Sequence, residues 1–365
     1  MQFIIAGFQG IFNEPIILVY LIFGIFLGMV MGAIPGLTAS LAVTLMLPFT
    51  YSMTHTAGIS LLVALYVGGI SGGLISAILL NIPGTPSSLV TCFDGGPMAK
   101  NGKAGLALSL GVFASFVGGI VSAVALIFIS PLMAKLALLF GTWEYAAMGI
   151  FGLCIVVSLT GEDTAKGLIA AIAGVILKMV GIDSLSNVPR FTFSAWQLSA
   201  GLSLLACLMG LFAMTEILMQ VRDLQEVSTI RESGKVPMFP GREVLKGTGK
   251  VFASSALIGV GVGILPGVGQ TTSTLLAYTY NKNTSKHPEM YGTGCAEGVI
   301  ASETANNATC GGALIPMLCL GVPGDTVTAI LMGAFIVHGI TPGPLLFTRN
   351  VDLVGVVFIG YLLCN

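Results

Sequence analysis

Long apolar stretches alternate with short polar ones along the chain, and four of the apolar stretches are interrupted by a Pro-Gly pair. The interruptions come in two sets of two: Pro35-Gly36 and Pro83-Gly84, then Pro266-Gly267 and Pro323-Gly324. Hydroxyl, amide or carboxylate side chains follow each pair within a few residues. In a membrane, a broken helix is tolerated only where it is buried in protein or faces a wet cavity. Paired breaks in two halves of a chain are typical of a transporter's binding site.

The composition indicates that this chain lies in a lipid bilayer. It is 55% hydrophobic and 8% charged, with a mean hydropathy of +0.96, whereas soluble domains carry roughly 25% charged residues. So much apolar surface cannot be buried inside one soluble globule of this size. We therefore expect an all-α polytopic membrane protein with re-entrant or broken helices at the Pro-Gly motifs. The net charge of −1 gives no indication of nucleic-acid binding.

The positions of Lys and Arg predict a topology. The polar stretch 220–250 contains six Lys or Arg residues, and the positive-inside rule places it in the cytoplasm. The segments 251–265 and 268–280 are each too short to cross about 30 Å of hydrocarbon, so they predict a re-entrant hairpin around Pro266. Two thin spans are the alternative. Upstream, the pattern predicts crossings at 57–72, 104–130, 143–160, 164–181 and 196–218, and a hairpin at 73–92.

These segments divide the chain into four parts. Residues 1–103 form a first repeat with two Pro-Gly hairpins, 104–219 are connecting spans, 220–250 are a cytoplasmic loop, and 251–365 form a second repeat. Five crossings separate equivalent hairpins, so the second repeat should be inverted relative to the first. Chance richness in Gly and Pro could also produce such a match. Because the final apolar run, 354–364, is shorter than a full span, we expect this repeat to be truncated.

The Pro-Gly breaks predict an anion site. Pro suits the first turn of a helix, and a helix N-terminus carries about half a positive charge, so up to four converging ends would bind an anion without Lys or Arg. The alternative role for the nearby hydroxyls is helix capping. The candidate substrate-binding residues are Pro35, Gly36, Thr38, Asn81, Pro83, Gly84, Thr85, Ser87, Pro266, Gly267, Gln270, Thr271, Thr272, Pro323, Gly324 and Thr326.

The second half adds candidate ion-coupling residues: Glu303, Asn306, Asn307 and Asp325. A charged side chain at membrane depth costs about 2.5–3.5 kcal/mol on insertion scales, so it indicates function. Glu303 and Asn307 share a helix face, being four residues apart. Their oxygens, with those of Asp325, would suit Na⁺, whereas a protonatable Glu303 would carry H⁺. A purely structural hydrogen-bond cluster, with Asp325 as a helix N-cap, is the alternative. We expect no cofactor other than the coupling ion, and we expect Asp94 to be a turn residue.

At these motifs the chain resembles the large membrane subunit of the tripartite tricarboxylate transporters, the TctA family. The resemblance is in stretches that follow the same order as in the family: 32–38, 66–88, 94–100, 263–273, 303–324 and 338–344. It implies a multi-pass symporter in the bacterial inner membrane that takes up di- or tricarboxylates with H⁺ or Na⁺. It also implies two partners, a small TctB-like membrane subunit and a periplasmic TctC-like solute-binding protein.

Two other functions stay open on the sequence. Paired re-entrant hairpins also occur in channels, so an anion channel, or a carrier for another small organic anion, is the alternative. An intramembrane enzyme is not expected, since the chain has no HExxH motif and no second membrane aspartate placed to form a catalytic pair.

Overall fold

The computed structural model describes residues 2–144, 146–147, 149–151, 164–182, 188–222 and 236–365. Within these ranges the regular secondary structure is helical apart from two short strands, Gly181–Ile182 and Pro189–Arg190, which pair antiparallel. The prediction of an all-α protein is therefore confirmed.

The first half contains five helices and is followed by a sixth, long one. In chain order they are α1 (Gln2–Asn13), α2 (Ile16–Ala33), α3 (Ala39–Thr50), α4 (His55–Leu79), a 3-10 turn (Pro86–Ser88) that leads into α5 (Leu89–Lys100), and α6 (Ala104–Ala137). The Pro-Gly breaks separate α2 from α3 and α4 from the 3-10 turn.

The described parts of the middle region and the second half continue the series. They contain α7 (Thr164–Lys178), a 3-10 turn (Trp196–Leu198), α8 (Leu204–Leu208), a π turn (Met209–Met214), α9 (Thr215–Arg222), α10 (Arg242–Leu245), α11 (Gly249–Ile264), α12 (Gly269–Thr284), a 3-10 turn (Pro288–Met290), α13 (Ala296–Leu320), α14 (Thr326–Val337), α15 (Leu346–Arg349) and α16 (Val351–Cys364). Here the Pro-Gly breaks separate α11 from α12 and α13 from α14.

Three helices among the described residues, α2, α4 and α6, are long and apolar enough to cross a membrane. The 25-residue helix α13 is as long as α4 but contains Glu303, Asn306 and Asn307, which lower its hydropathy. Both α4 and α13 are buried along most of their length. They are the central helices of the two halves, so polar groups on α13 are enclosed by protein.

The same close packing recurs in both halves. A Cβ added at Gly32, near the end of α2, would collide with the Gly69 carbonyl oxygen of α4. A Cβ added at Gly263, near the end of α11, would lie 2.7 Å from the Thr309 carbonyl oxygen of α13. Glycine at both positions allows two helix backbones to touch, as is common between membrane helices.

The second break of each half packs against the end of the helix that precedes the first break, α2 in the first half and α11 in the second. A Cβ at Gly84 would collide with the Gly32 carbonyl oxygen, and one at Gly324 would lie 2.9 Å from the Gly263 carbonyl oxygen. The two halves therefore share this contact between their breaks. The two repeats, the inversion of the second one and the re-entrant form of the hairpins stay predictions.

One predicted boundary was wrong. We expected a crossing at 57–72 and a separate hairpin at 73–92, but α4 runs without a break from His55 to Leu79. Gly72 and Gly73 do not end the helix, because they provide room for the Met29 backbone of α2 and for the hydroxyls of Thr85 and Ser88.

Two other predictions lie partly outside the described residues. Only residues 149–151 and parts of 143–147 are described in the predicted crossing 143–160, and residues 223–235 of the predicted cytoplasmic loop are not described.

Candidate functional site

All four Pro-Gly breaks lead into one cavity of about 210 Å³. Each contributes the residues that follow it, at the start of the next helical segment, and Ile70 of α4 completes the wall. The lining consists of Thr38, Ala39, Ser40, Ile70, Thr85, Pro86, Ser87, Val268, Gly269, Gln270, Thr271, Asp325, Thr326 and Val327. Segments that are far apart in sequence thus converge on a single space.

The predicted substrate-binding residues divide into two groups. Six of them line the cavity: Thr38, Thr85, Ser87, Gln270, Thr271 and Thr326. Nine others form the turns behind it: Pro35, Gly36, Asn81, Pro83, Gly84, Pro266, Gly267, Pro323 and Gly324. Thr272 is exposed and outside the lining.

The turns need their glycines. Gly36 and Gly267 have φ angles of +89° and +78°, a region that glycine enters without steric cost. The Gly267 N–H also donates a hydrogen bond of 2.9 Å to the Gly324 carbonyl oxygen, which joins the two breaks of the second half. Asn81 adopts a φ of +57° just before the second break, and Asn is among the residues that tolerate this conformation.

The cavity wall offers backbone N–H groups rather than cationic side chains. None of the lining residues given above is Lys, Arg or His. No side chain caps the N-terminus of α12, which begins at Gly269 in the wall. At α3, the Thr38 hydroxyl accepts a hydrogen bond of 3.2 Å from the Leu41 N–H. Uncapped helix N-termini carry partial positive charge, so this wall favours an anion.

Asp325 caps its own helix. Its Oδ1 accepts hydrogen bonds from the N–H and the hydroxyl of Thr328, at 2.6 and 2.7 Å, and the Thr328 hydroxyl accepts from the Asp325 N–H. Its Oδ2 accepts from the Tyr66 hydroxyl at 2.5 Å and from the Gln270 amide. The positive end of α14 is thus already matched by a carboxylate of the chain, which leaves three helical starts facing the cavity without such a charge.

Glu303 lies in a second polar cluster. Its side chain is 0% exposed and accepts hydrogen bonds from the hydroxyls of Thr91 in α5 and Ser115 in α6, the latter at 3.2 Å. One turn later, Asn307 accepts from the Ser71 hydroxyl at 2.7 Å and donates to the Glu303 carbonyl oxygen at 3.3 Å. Glu303 and Asn307 therefore share a helix face, as their spacing predicts.

The proposed Na⁺ ligands belong to separate networks. Among the described residues, the hydrogen bonds of Glu303 and Asn307 involve Thr91, Ser115 and Ser71, and those of Asp325 involve other side chains. A Na⁺ site that combines all three residues stays a prediction, and Asp325 would have to give up bonds to join it.

Some residues of the two clusters were not identified from the sequence. Tyr66, Ser71, Thr91 and Ser115 lie in apolar segments, and only long-range packing brings them to Asp325, Asn307 and Glu303. The small polar residues scattered through α4, α5 and α6 were the available signal, although such residues are common in membrane helices.

Asp94 is not the turn residue that we expected. It lies within α5 and is 1% exposed, because the glycines that follow it allow α5 to pack closely instead of ending the helix. Its Oδ1 accepts three backbone N–H bonds of 2.7–2.9 Å from Gly292, Gly294 and Cys295, and its Oδ2 accepts from the Tyr278 hydroxyl at 2.8 Å. Asp94 therefore fixes the first half to the second.

A short motif in α4 has the spacing of a hydrolase nucleophile elbow but not its structure. Gly69–Gly73 reads G-x-S-x-G, a motif that requires a sharp turn between a strand and a helix. Ser71 instead lies inside α4 and donates its hydroxyl to Asn307.

Comparison with known proteins places the chain in a family. A family model described as the tripartite tricarboxylate transporter TctA family matches residues 18–365. The chain belongs to the TctA family. Two relatives from Agrobacterium vitis have uncharacterized functions. The "52.8 kDa protein in TAR-I ttuC' 3'region" is 39% identical over 288 residues, which is 78% of this chain and 56% of the relative.

The second relative, the "protein in TAR-II ttuC' 3'region", is 42% identical over 106 residues, which is 28% of this chain and 44% of the relative. The chain thus spans about half the length of the curated relatives that it matches. No solved structure shows significant similarity to it.

Proposed function

We propose that this TctA-family chain acts in the large membrane subunit of a tripartite carrier that takes up di- or tricarboxylates with H⁺ or Na⁺. The observation that carries the proposal is the convergence of all four Pro-Gly breaks on one cavity that has no cationic side chain in its wall. Backbone N–H groups at helix starts are suited to carboxylates, and they need no buried Lys or Arg to bind them.

The size of the cavity favours a small substrate. Its volume of about 210 Å³ is below the roughly 300–1,000 Å³ of pockets for drug-sized ligands. Hydroxyls of Thr38, Ser40 and Ser87 and the amide of Gln270 surround it. A compact carboxylate with several hydrogen-bonding oxygens matches this wall better than a long apolar acid.

Family membership supports the remaining parts of the proposal. The protein would lie in the bacterial inner membrane with several spans, together with a TctB-like small subunit, and would receive substrate from a periplasmic TctC-like binding protein. Inverted repeats would allow the cavity to open to either side in turn.

The surroundings of Glu303 support ion coupling. The groups that interact with its carboxyl group, the hydroxyls of Thr91 and Ser115 and the amide of Asn306, are neutral, and the side chain is fully buried. A buried carboxylate is expensive unless it is paired or neutralised, so a bound proton or Na⁺ would relieve the cost. A proton or Na⁺ bound at Glu303 would thus change the free energy of the substrate-bound conformation.

The test is uptake of radiolabelled di- and tricarboxylates into proteoliposomes that contain the complete transporter, under imposed H⁺ or Na⁺ gradients. Glu303→Gln should lose gradient-driven uptake at least tenfold while exchange of internal for external carboxylate continues. The matched control is Glu297→Gln at the start of the same helix, where the Glu297 carboxylate accepts a hydrogen bond from the Tyr291 hydroxyl. This variant should keep wild-type uptake.

Two outcomes would contradict this proposal. Full gradient-driven uptake by Glu303→Gln would remove the coupling role of Glu303. Carboxylate currents that flow without any imposed ion gradient, and that do not saturate, would favour an anion channel instead.

A further inference from the structure

Asn306 is a buried amide without a hydrogen bond of normal geometry in the described part of the chain. Its side chain is 0% exposed, and the only polar group that it influences there is the neighbouring carboxyl group of Glu303. Leaving a buried polar group unpaired is costly, so such a group in a native protein needs an explanation. A ligand that bonds to the amide in another state of the transport cycle would supply one.

The neighbours of Asn306 show which way it faces. On the same side of α13, the Ser302 hydroxyl is bonded to Thr91 of α5 at 3.2 Å, and the Thr309 hydroxyl is bonded to Ser273 of α12 at 2.7 Å. In helical projection Asn306 lies between Ser302 and Glu303, and both of these residues contact Thr91 of α5. Asn306 therefore faces α5. The 3-10 turn Pro86–Ser88 leads directly into α5 and contacts α13.

In the first half, the counterpart of Asn306 is Tyr66. Gly69 and Thr309 occupy equivalent places, because Gly32 and Gly263 pack against them in the same way. Tyr66 and Asn306 each precede these residues by three positions. By the same comparison, Thr85 and Asp325 are equivalent, since each directly follows the glycine of its second break.

Contacts between the halves also recur with the halves exchanged. Helix α3 of the first half packs against α14 of the second, and α12 of the second half packs against the 3-10 turn of the first. Likewise, α4 packs against α14, and α13 packs against the 3-10 turn. The Tyr66 hydroxyl of the first half bonds to Asp325 of the second. When each residue is replaced by its counterpart in the other half, this pair becomes Asn306 and Thr85, so we expect Asn306 to lie opposite Thr85.

The two equivalent places differ in one group. The second half has the carboxylate of Asp325, which accepts four hydrogen bonds. The first half has Thr85, whose hydroxyl is 3.1 Å from that of Ser87 and 2.8 Å from that of Ser88. Thr85 and Ser87 both line the cavity. In place of the tyrosine, the exchange puts the amide of Asn306 from the second half. The surroundings of Thr85 thus have the donors but lack the carboxylate.

We propose that a carboxylate group of the substrate occupies, in the first half, the place that the Asp325 carboxylate occupies in the second. It accepts hydrogen bonds from the Asn306 amide and from the hydroxyls of Thr85 and Ser87. The inference rests on the proposed function, because it takes the substrate to be a carboxylate. It explains why the amide of Asn306 has no hydrogen bond of normal geometry among the described residues.

The first test is to supply the missing carboxylate from the chain. Binding of succinate and citrate is measured by titration calorimetry on the complete protein in detergent, and Tm is measured without ligand. Thr85→Asp should bind both acids at least tenfold more weakly than wild type and should have a higher Tm than the matched neutral variant Thr85→Asn. A new carboxylate that has no partner in the protein would also weaken binding, because it repels the substrate. In that case its unpaired charge would make the Tm of Thr85→Asp lower than that of Thr85→Asn.

The second test is a double-mutant cycle without ligand, which separates pairing from general effects. The Tm advantage of Thr85→Asp over Thr85→Asn should disappear when Asn306 is changed to Ala. Asn306→Ala alone should weaken succinate binding about tenfold, as expected for a lost hydrogen bond to a charged group. The control is Thr304→Ala. Like the amide of Asn306, the Thr304 hydroxyl is buried and unpaired among the described residues, but it lies on the opposite face of α13, so its removal should leave binding unchanged.

The outcomes distinguish this inference from the proposed function. If wild type binds carboxylates but Thr85→Asp and Asn306→Ala bind them equally well, the position proposed for the carboxylate is wrong and the transport function stands. If wild type binds neither acid, the proposed function fails, and the ligand-free cycle still decides whether Asn306 faces Thr85. Additive Tm effects in that cycle would overturn the inference.

Discussion

At the residue scale, the two buried carboxylates of the second half have different surroundings. Asp325 accepts bonds on both oxygens from a capped helix start, a tyrosine and an amide. Glu303 has two neutral hydroxyl donors. The first arrangement stabilises a fixed negative charge, and the second leaves the charge available for a proton or a cation. We therefore propose different roles for the two acids, a structural one for Asp325 and ion coupling for Glu303.

Replacement of Asp325 by Asn tests the structural role. Asn is also a good N-cap, so the helix start should survive. Its NH₂ group cannot accept the hydrogen bonds that Tyr66 and Gln270 now donate to Oδ2. We expect a loss of about 1–3 kcal/mol in the free energy of unfolding in detergent. The control Thr38→Ala removes a cap that has a single bond to Leu41 and should cost about 1 kcal/mol. Unchanged stability of Asp325→Asn would contradict the network.

The sequence predicts the position of a residue in the site well when that position depends on neighbouring residues in the chain. Thr38, Thr85 and Thr271 reach the cavity because each follows a Pro-Gly break within four residues, and the breaks are visible in the sequence. Tyr66 and Thr91 were not predicted, because only the packing of distant helices brings them to Asp325 and Glu303.

At the element scale, pairs of helices approach closely through glycine before each first break. In the first half α2 touches α4 at Gly32, and in the second α11 touches α13 at Gly263. The positions of the breaks were predictable because Pro and Gly have strong local effects. The length of α4 was not predictable, because Gly72 and Gly73 resemble a break in sequence and serve packing in the structure.

Two glycines of α11 provide a matched test of this packing. Gly263→Ala would place its Cβ 2.7–2.9 Å from backbone atoms of Thr309, Gly312 and Ala313, so it should destabilise the protein by about 1–3 kcal/mol. Gly261→Ala, two residues earlier, meets no atom within 4 Å and should be neutral or slightly stabilising. Thermal unfolding in detergent measures both. Equal Tm values for the two variants would show that the close approach is not required.

At the scale of the whole molecule, two separate regions of contact join the two halves. Around the cavity, α3 contacts α14 and α12 contacts the Pro86–Ser88 turn. Away from it, Asp94 of α5 holds the loop at 292–295 and Tyr278 of α12. The cavity is therefore made of residues from both halves, and any movement of one half against the other would alter it. A site between two repeats is typical of carriers that work by alternating access, as we propose for this protein.

The most direct test of the account is a structure of the complete transporter with a bound carboxylate. We predict that succinate or citrate lies in the cavity between Thr38, Ser87 and Thr271, in contact with helix starts from both halves and with no Lys or Arg side chain. A carboxylate bound at a membrane face, or held by a cationic side chain away from the four Pro-Gly breaks, would contradict the account.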